Sequence, residues 1–147
     1  MRGMSLLACT LSVGLSLLVA QNQRPEVKWN IPDGPAIPGV QHHVLHSPSM
    51  GIDVGYNVFL PPGYEEGAAK YPVVYFLHGA GGTENSDAGG FSGLVAKLID
   101  TKAIPKVICV FPNGGMSGYQ DHPEQKVMGE TLIVKELIPE IDSHYRT

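Results

Sequence analysis

The chain has 147 residues, a length typical of a single domain. Hydrophobic residues make up 43% of the sequence and charged residues 16%, the balance of an ordinary globular protein, which excludes a disordered chain. The formal net charge is -4, from 10 lysines and arginines against 14 acidic residues with no basic cluster, so the composition also excludes nucleic acid as a partner.

Residues 1–20 have the layout of a secretory signal peptide. Arg2 supplies a positive start, residues 6–20 are mostly apolar with small residues among them, and a polar segment follows Ala20. The apolar stretch is shorter than the ~20 residues that a helix needs to span a bilayer, so the sequence predicts no stable membrane anchor. We therefore expect cleavage near Ala20 and a secreted or periplasmic mature protein.

Residues 21–39 are predicted to form an extended lead-in to the folded part of the chain. Pro32, Pro35 and Pro38 recur at a spacing that forbids a helix and disfavours a central strand. Regular hydrophobic patterns begin only after this segment, and we assign residues 40–147 to the N-terminal part of one domain.

The domain is predicted to begin with an antiparallel hairpin. Apolar residues alternate with small or polar ones over residues 52–60, a period typical of a half-buried strand with Gly55 and Asn57 on its second face. Residues 47–51 have turn composition, so residues 40–46 are the predicted partner strand.

A parallel unit is predicted after the hairpin. Residues 73–77 and 107–111 are apolar without alternation, as expected of strands covered on both faces in a parallel sheet. Between them, an apolar stripe at helical spacing predicts a helix packed on that sheet: Phe91, Leu94, Val95, Leu98 and Ile99. Strand, helix and strand in this order predict a βαβ unit.

A final helix is predicted over residues 130–145. Its inward face is expected to comprise Val134, Leu137, Ile138 and Ile141. Pro139 lies inside the helix and removes one backbone donor, so we expect a kink there. The predicted fold class is therefore α/β, with an antiparallel N-terminal hairpin leading into a parallel sheet flanked by helices.

Two glycine-rich loops follow the two predicted parallel strands. Ligands of open α/β sheets bind beyond the carboxyl ends of the strands, which is where residues 78–82 and 113–115 lie. The first loop reads His-Gly-Ala-Gly-Gly. Glycines in such a loop let the backbone turn its amides inward and let a substrate come close.

The first loop is the candidate catalytic element. Acyl transfer passes through a tetrahedral oxyanion, which needs preorganised backbone N–H donors, and a His-Gly-rich loop after a buried strand supplies one of them in α/β-hydrolases. We predict that Ala80 donates this N–H and that His78, Gly79 and Gly81 shape the loop. The alternatives are an ordinary glycine turn or a phosphate cradle, but no Lys-Ser/Thr pair and no G-x-G-x-x-G spacing is present.

Three segments together resemble the esterase D-like branch of the α/β-hydrolases. They read VFLPPGY at residues 58–64, YPVVYFLHG at 71–79 and LIPEIDSHY at 137–145, and the resemblance covers about residues 41–147. The branch includes feruloyl and acetyl xylan esterases, S-formylglutathione hydrolase and the mycolyltransferases. The resemblance implies an incomplete α/β-hydrolase fold, a Ser-His-Asp or Glu mechanism without metal or cofactor, and an ester substrate that is small or linked to a polysaccharide.

The sequence departs from this family at the nucleophile. No G-x-S-x-G motif is present: Ser92 and Ser117 come nearest, but each lacks the last glycine. We therefore expect the catalytic triad to lie after Thr147 and the 147 residues alone to be inactive. Two alternatives stay open, a secreted peptidase-like α/β-hydrolase and a non-catalytic binding module of the same fold.

Other polar residues carry weaker predictions. His42, His43 and His46 suggest a metal site at first sight, but neighbouring residues of a strand point to opposite faces and the outer two are ~13 Å apart, so no metal is predicted. Tyr119 and Gln120 follow the second glycine-rich loop and are candidates to line the substrate cleft, with an ordinary surface loop as the alternative. The sequence does not predict an oligomeric state.

Overall fold

A computed structural model describes residues 26–147 of the chain. The predicted signal peptide, residues 1–20, and the first residues of the lead-in lie outside the described part. Among residues 26–147, no helix has both the length and the apolar character that crossing a membrane requires.

Four strands form one mixed sheet in the order β1-β2-β4-β3. The strands are β1 (Val40–Ser47), β2 (Ile52–Phe59), β3 (Val73–Tyr75) and β4 (Ile108–Pro112). β2 pairs antiparallel with β1 and with β4, whereas β3 and β4 pair parallel. Helix α1 (Ala88–Asp100) connects β3 to β4. The predicted hairpin and the predicted βαβ unit are both confirmed.

The rest of the fold lies between β4 and the C-terminus. A small antiparallel pair, β5 (Asp121–His122) and β6 (Val127–Met128), surrounds a 3₁₀ turn (Pro123–Gln125). The C-terminal helix follows in three consecutive parts: α2 (Gly129–Thr131), a π-helical segment (Leu132–Leu137) and α3 (Ile138–His144).

Strand β2 is more deeply buried than its alternating pattern predicts. Every residue from Val54 to Phe59 is buried, so the prediction of a half-buried strand is wrong. The apolar face joins a core that contains Leu132, Ile133 and other residues of the C-terminal helix. On the second face Phe59 joins the core beneath α1, and the side chain of Glu84 lies against Gly55.

Two predicted inward residues of the helices point to solvent. Leu94 in α1 is 54% exposed and Val134 is 49% exposed, whereas Ser92 is buried. The buried stripe of α1 is narrow, so Leu94 falls beside it. In the C-terminal helix the π-helical segment, whose turns are wider than those of an α-helix, ends directly before α3, the helix that contains Pro139. This segment rotates the buried face of the helix onto Leu132 and Ile133.

The two parallel strands differ in burial. β4 is covered on both faces, as predicted, and all five of its residues are buried. β3 is shorter than predicted and is covered less, since Val74 is 37% exposed and Leu77, just beyond its end, is 45% exposed. Among the described strands β3 has a neighbour on one side only, which makes it an edge of the sheet.

Candidate functional site

The imidazole of His78 joins the two glycine-rich loops. His78 is 7% exposed and follows β3, whereas Gly114 follows β4. The Gly114 N–H donates to His78 Nε2 at 2.9 Å, and His78 Nδ1 lies 2.7 Å from the carbonyl oxygen of Gly79. Because Nε2 accepts, Nδ1 carries the proton and donates to Gly79. Both ring nitrogens are therefore used in holding the loops, which is the structural role that the sequence predicts for this histidine.

The loop around Ala80 forms a tight turn with its middle open to solvent. The Gly82 N–H donates to the carbonyl oxygen of Gly79 at 3.0 Å, and Gly81 has φ +79°, a backbone conformation that favours glycine. A Cβ on Gly82 would lie 2.7 Å from His78 Nδ1, so only glycine fits there. Ala80 is exposed, and its N–H donates to no acceptor within residues 26–147.

A cavity of about 820 Å³ lies beside this turn. Gly81, Gly82 and Thr83 contribute one side of it, and residues 115–117 contribute another. Most of the third side comes from residues 26–29 and Ile31 of the lead-in. The sequence analysis predicts only that this segment is extended. The cavity therefore brings the two predicted loops together and adds a segment that sequence reasoning did not include in the site.

Tyr119 and Gln120, the candidate cleft residues, lie outside the lining of this cavity. The Tyr119 ring packs edge-on against His78 with centroids 5.6 Å apart, and a Cβ on Gly114 would lie 2.4 Å from it. Burial raises the pKa of Tyr119 to about 12, and the nearby His78 backbone N–H opposes this rise only in part. The phenol thus stays neutral and fills space behind the loops.

Glu84 is a fully buried carboxylate that the sequence analysis missed. Its Oε2 accepts a hydrogen bond from Asn113 Nδ2 at 2.7 Å, and its Oε1 accepts one from the backbone N–H of Ile31. Oε1 also lies 3.4 Å from His42 Nε2. The available signal is a pair of small or polar residues, Gly55 and Asn57, on the face of β2 that the alternating pattern predicts to be exposed.

Neither candidate serine is arranged as a nucleophile. Ser92 Oγ is buried and donates to the carbonyl oxygen of Gly89 at 3.3 Å. Ser117 Oγ donates to the carbonyl oxygen of Gly114 at 2.7 Å and accepts the Tyr119 N–H at 2.9 Å. In the described part of the chain no histidine hydrogen-bonds to either hydroxyl. Both hydroxyls therefore stabilise local turns.

The three histidines of β1 have separate partners. His42 lies near Glu84, and His46 Nδ1 is 2.8 Å from Asp53 Oδ1. His43 stacks on Tyr56 with centroids 5.3 Å apart, and burial is the main cause that lowers its pKa below the ordinary value. Over residues 26–147, no three His, Cys, Asp or Glu side chains are grouped to hold a metal ion.

Comparison with known proteins finds a matching family and two curated relatives. The family model described as "Putative esterase" matches residues 47–147. Two curated esterases, from two strains of Mycobacterium tuberculosis, are each 30% identical over 114 residues, which is 75% of this chain and 24% of theirs. The chain thus spans about a quarter of the length of those relatives.

Solved structures show the same fold. A ferulic acid esterase superposes with a TM-score of 0.68 at 32% identity, over 74% of this chain and 45% of that one. An IroE-like serine hydrolase from Shewanella oneidensis superposes with a TM-score of 0.58 at 28% identity, over 74% of this chain and 39% of that one. These superpositions confirm the predicted α/β-hydrolase fold, of which the described residues form a part.

Proposed function

Because this chain belongs to the esterase family, we propose that it supplies the oxyanion-binding part of a serine carboxylic-ester hydrolase. The observation that carries the proposal is the N–H of Ala80, which donates to no acceptor within residues 26–147 and belongs to a turn that His78 braces and whose Gly81 and Gly82 line the cavity. The catalytic serine, acid and histidine are then supplied by sequence after Thr147, since no G-x-S-x-G motif occurs in these 147 residues.

The chemistry follows from the position of this donor. A serine Oγ attacks the ester carbonyl carbon while its proton passes to a histidine, and the carbonyl oxygen becomes an oxyanion. The Ala80 N–H donates to that oxyanion together with the N–H of the residue after the nucleophile. Collapse of the intermediate expels the alcohol and leaves an acyl-enzyme, which water then hydrolyses. The turn does not need to reorganise during the reaction, because its hydrogen bonds already fix it.

We further propose feruloyl or acetyl esters of polysaccharides as substrates, met outside the cytoplasm. Support comes from the predicted signal peptide and from the ferulic acid esterase that is 32% identical over the aligned part. Export would yield a mature N-terminus close to Gln21, which N-terminal sequencing of the exported protein tests. A cytoplasmic protein that retains Met1 would contradict this part of the proposal.

Hydrolysis assays of the full-length protein test the proposed reaction. We expect release of nitrophenol from p-nitrophenyl acetate and of ferulate from methyl ferulate, with both activities lost after treatment with a serine-directed phosphonate. Mass spectrometry should then find the phosphonate on a serine beyond Thr147. Specific ligand binding without any hydrolysis would instead support the second candidate, a non-catalytic binding module, which the absence of a G-x-S-x-G motif here also favours.

A further inference from the structure

The carboxylate of Glu84 is buried in an unusual setting. It is 0% exposed, and His42 is the only ionisable side chain paired with it within residues 26–147. Burying a carboxylate is costly unless hydrogen bonds compensate it, and here an amide, a backbone N–H and an imidazole surround it. In some proteins a buried polar group of this kind fixes one arrangement of the segments around it.

The segment that Glu84 holds is residues 28–31 of the lead-in. Its backbone is fixed at four points, one of which is the Ile31 N–H that donates to Glu84. The other three are carbonyl oxygens: that of Lys28 accepts from Asn113 at 2.9 Å, that of Trp29 from the Gly55 N–H at 2.7 Å, and that of Ile31 from Asn85 at 3.1 Å.

The same cluster holds both glycine-rich loops. Glu84 lies two residues after Gly82, and its partner Asn113 begins the second loop. Asn113 Oδ1 accepts the Gly115 N–H at 3.0 Å. A Cβ on Gly115 would lie 3.0 Å from Trp29 Cη2, so the indole of the lead-in sits directly against this loop. A shift of the Glu84 carboxylate would therefore move the cavity wall and both loops together.

We propose that Glu84 is a positioning residue of the candidate site, which locks residues 28–31 against the two loops so that Trp29 determines which acyl groups the cavity accepts. The inference rests on the proposed function. Trp29 lines the cavity together with four other apolar residues, Val27, Ile31, Met116 and Val127. We expect a planar, apolar acyl group to gain contact with these residues, and an acetyl group, which has a single methyl, to gain much less.

Two esters with one leaving group test this inference in the full-length protein. The measured quantity is the ratio of kcat/KM for p-nitrophenyl cinnamate to kcat/KM for p-nitrophenyl acetate. Trp29→Ala should lower this ratio by about tenfold, the usual consequence of losing part of an apolar pocket. Glu84→Gln keeps the shape of the side chain but replaces one accepting carboxylate oxygen by an NH₂ group, which then faces another hydrogen-bond donor. This substitution should also lower the ratio.

A second substitution separates positioning from general destabilisation. In Glu84→Gln/Asn113→Asp the new amide can donate to the new carboxylate, but the Lys28 carbonyl loses its Asn113 donor, so the ratio should recover only in part. The matched control is Glu136→Gln, because Glu136 also accepts two hydrogen bonds, from Ser47 Oγ at 2.6 Å and the Ser49 N–H at 2.9 Å, away from the cavity. This control should lower the melting temperature and leave the ratio unchanged.

An unchanged ratio in folded Trp29→Ala and Glu84→Gln overturns the inference. If Glu84→Gln does not fold, Asn85→Ala is used instead, because it removes only the side-chain hydrogen bonds to Ile31 and Asn57. An unchanged ratio in Asn85→Ala then also overturns the inference. If the wild-type protein hydrolyses neither ester, the proposed function fails, and binding decides the inference instead. Cinnamate should then quench the tryptophan fluorescence of Trp29, identified as the part of the signal that is lost in Trp29→Phe. The quenching should be weaker in Glu84→Gln, and its absence in the wild-type protein overturns the inference.

Discussion

A histidine that joins two glycine-rich loops beside a cavity invites assignment as a catalytic base, and the bonds of His78 argue against this. Its Nε2 accepts the Gly114 N–H and its Nδ1 donates to Gly79, so neither nitrogen is free to take a proton from a nucleophile. The neighbouring backbone carries the proposed function instead. Ala80 contributes an amide rather than a side chain, and for this reason its residue type matters less than its place in the turn.

Ala80→Pro tests the amide directly. Ala80 is the second residue of a turn closed by the Gly82 N–H and the Gly79 carbonyl, with Gly81 at φ +79°, and proline is favoured at that second position. The substitution therefore deletes the N–H with little strain. In the full-length enzyme, kcat for p-nitrophenyl acetate should fall about a hundredfold, as loss of one oxyanion donor does.

Ala80→Gly is the matched control for this prediction, because it keeps the N–H and changes only the side chain. Its kcat should stay close to that of the wild-type enzyme, and circular dichroism should show that both variants are folded. Unchanged turnover in a folded Ala80→Pro enzyme would mean that another group binds the oxyanion.

At the scale of single elements, a carboxylate in β5 caps the start of the C-terminal helix. Asp121 Oδ1 accepts the Thr131 N–H at 3.0 Å, and Oδ2 accepts the Thr131 hydroxyl at 2.7 Å. These two bonds lower the pKa of Asp121 below its ordinary value of 3.8. Since the charged form is the one that is bonded, Asp121 stabilises the folded state above its ordinary pKa, and this contribution is lost as the pH falls through the lowered value.

Asp121→Asn should therefore lower the urea midpoint of the full-length protein at neutral pH. The difference from the wild-type midpoint should begin to shrink below about pH 4, where the unfolded chain takes up the proton first, and it should vanish below the lowered pKa of Asp121, where the folded wild-type carboxyl is protonated too. The control is Asp33→Asn, at an exposed turn position. A difference between Asp121→Asn and wild type that is independent of pH would show that the charge of Asp121 is not what stabilises the helix.

The spacing of apolar residues and glycines predicts those elements whose structure depends on residues close together in the chain. The hairpin, the βαβ unit and the loop that carries Ala80 follow from alternation, apolar runs and glycines within short windows. The buried cluster around Glu84 cannot be predicted in this way. Glu84 contacts Gly55 and Asn113, each about 29 residues away in the chain, and no short sequence pattern indicates such a contact. The π-helical segment was also missed, because the sequence analysis assumed regular α-helical spacing, which places Val134 inward, whereas the segment buries Leu132, Ile133 and Leu137.

For the molecule as a whole, the sheet stops at a strand that is apolar on both faces. β3 pairs with β4 alone, and Val74 and Leu77 stay partly exposed at 37% and 45%. Strands with unpaired backbone groups and apolar side chains readily pair with other chains. In the proposed full-length enzyme, the strand that leads to the nucleophile would cover this edge, and the same strand would bring the serine to the Ala80 turn.

The last prediction is therefore that residues 21–147, expressed alone, are inert and poorly stable. We expect no hydrolysis of p-nitrophenyl acetate, elution in size-exclusion chromatography as aggregates, and no sharp thermal transition, because small domains have little stability to spare. Val74→Lys places a charge on the exposed edge and should reduce aggregation without restoring activity. A soluble monomer that unfolds cooperatively would contradict the prediction, and hydrolysis abolished by a serine-directed inhibitor would make Ser92 or Ser117 the nucleophile after all.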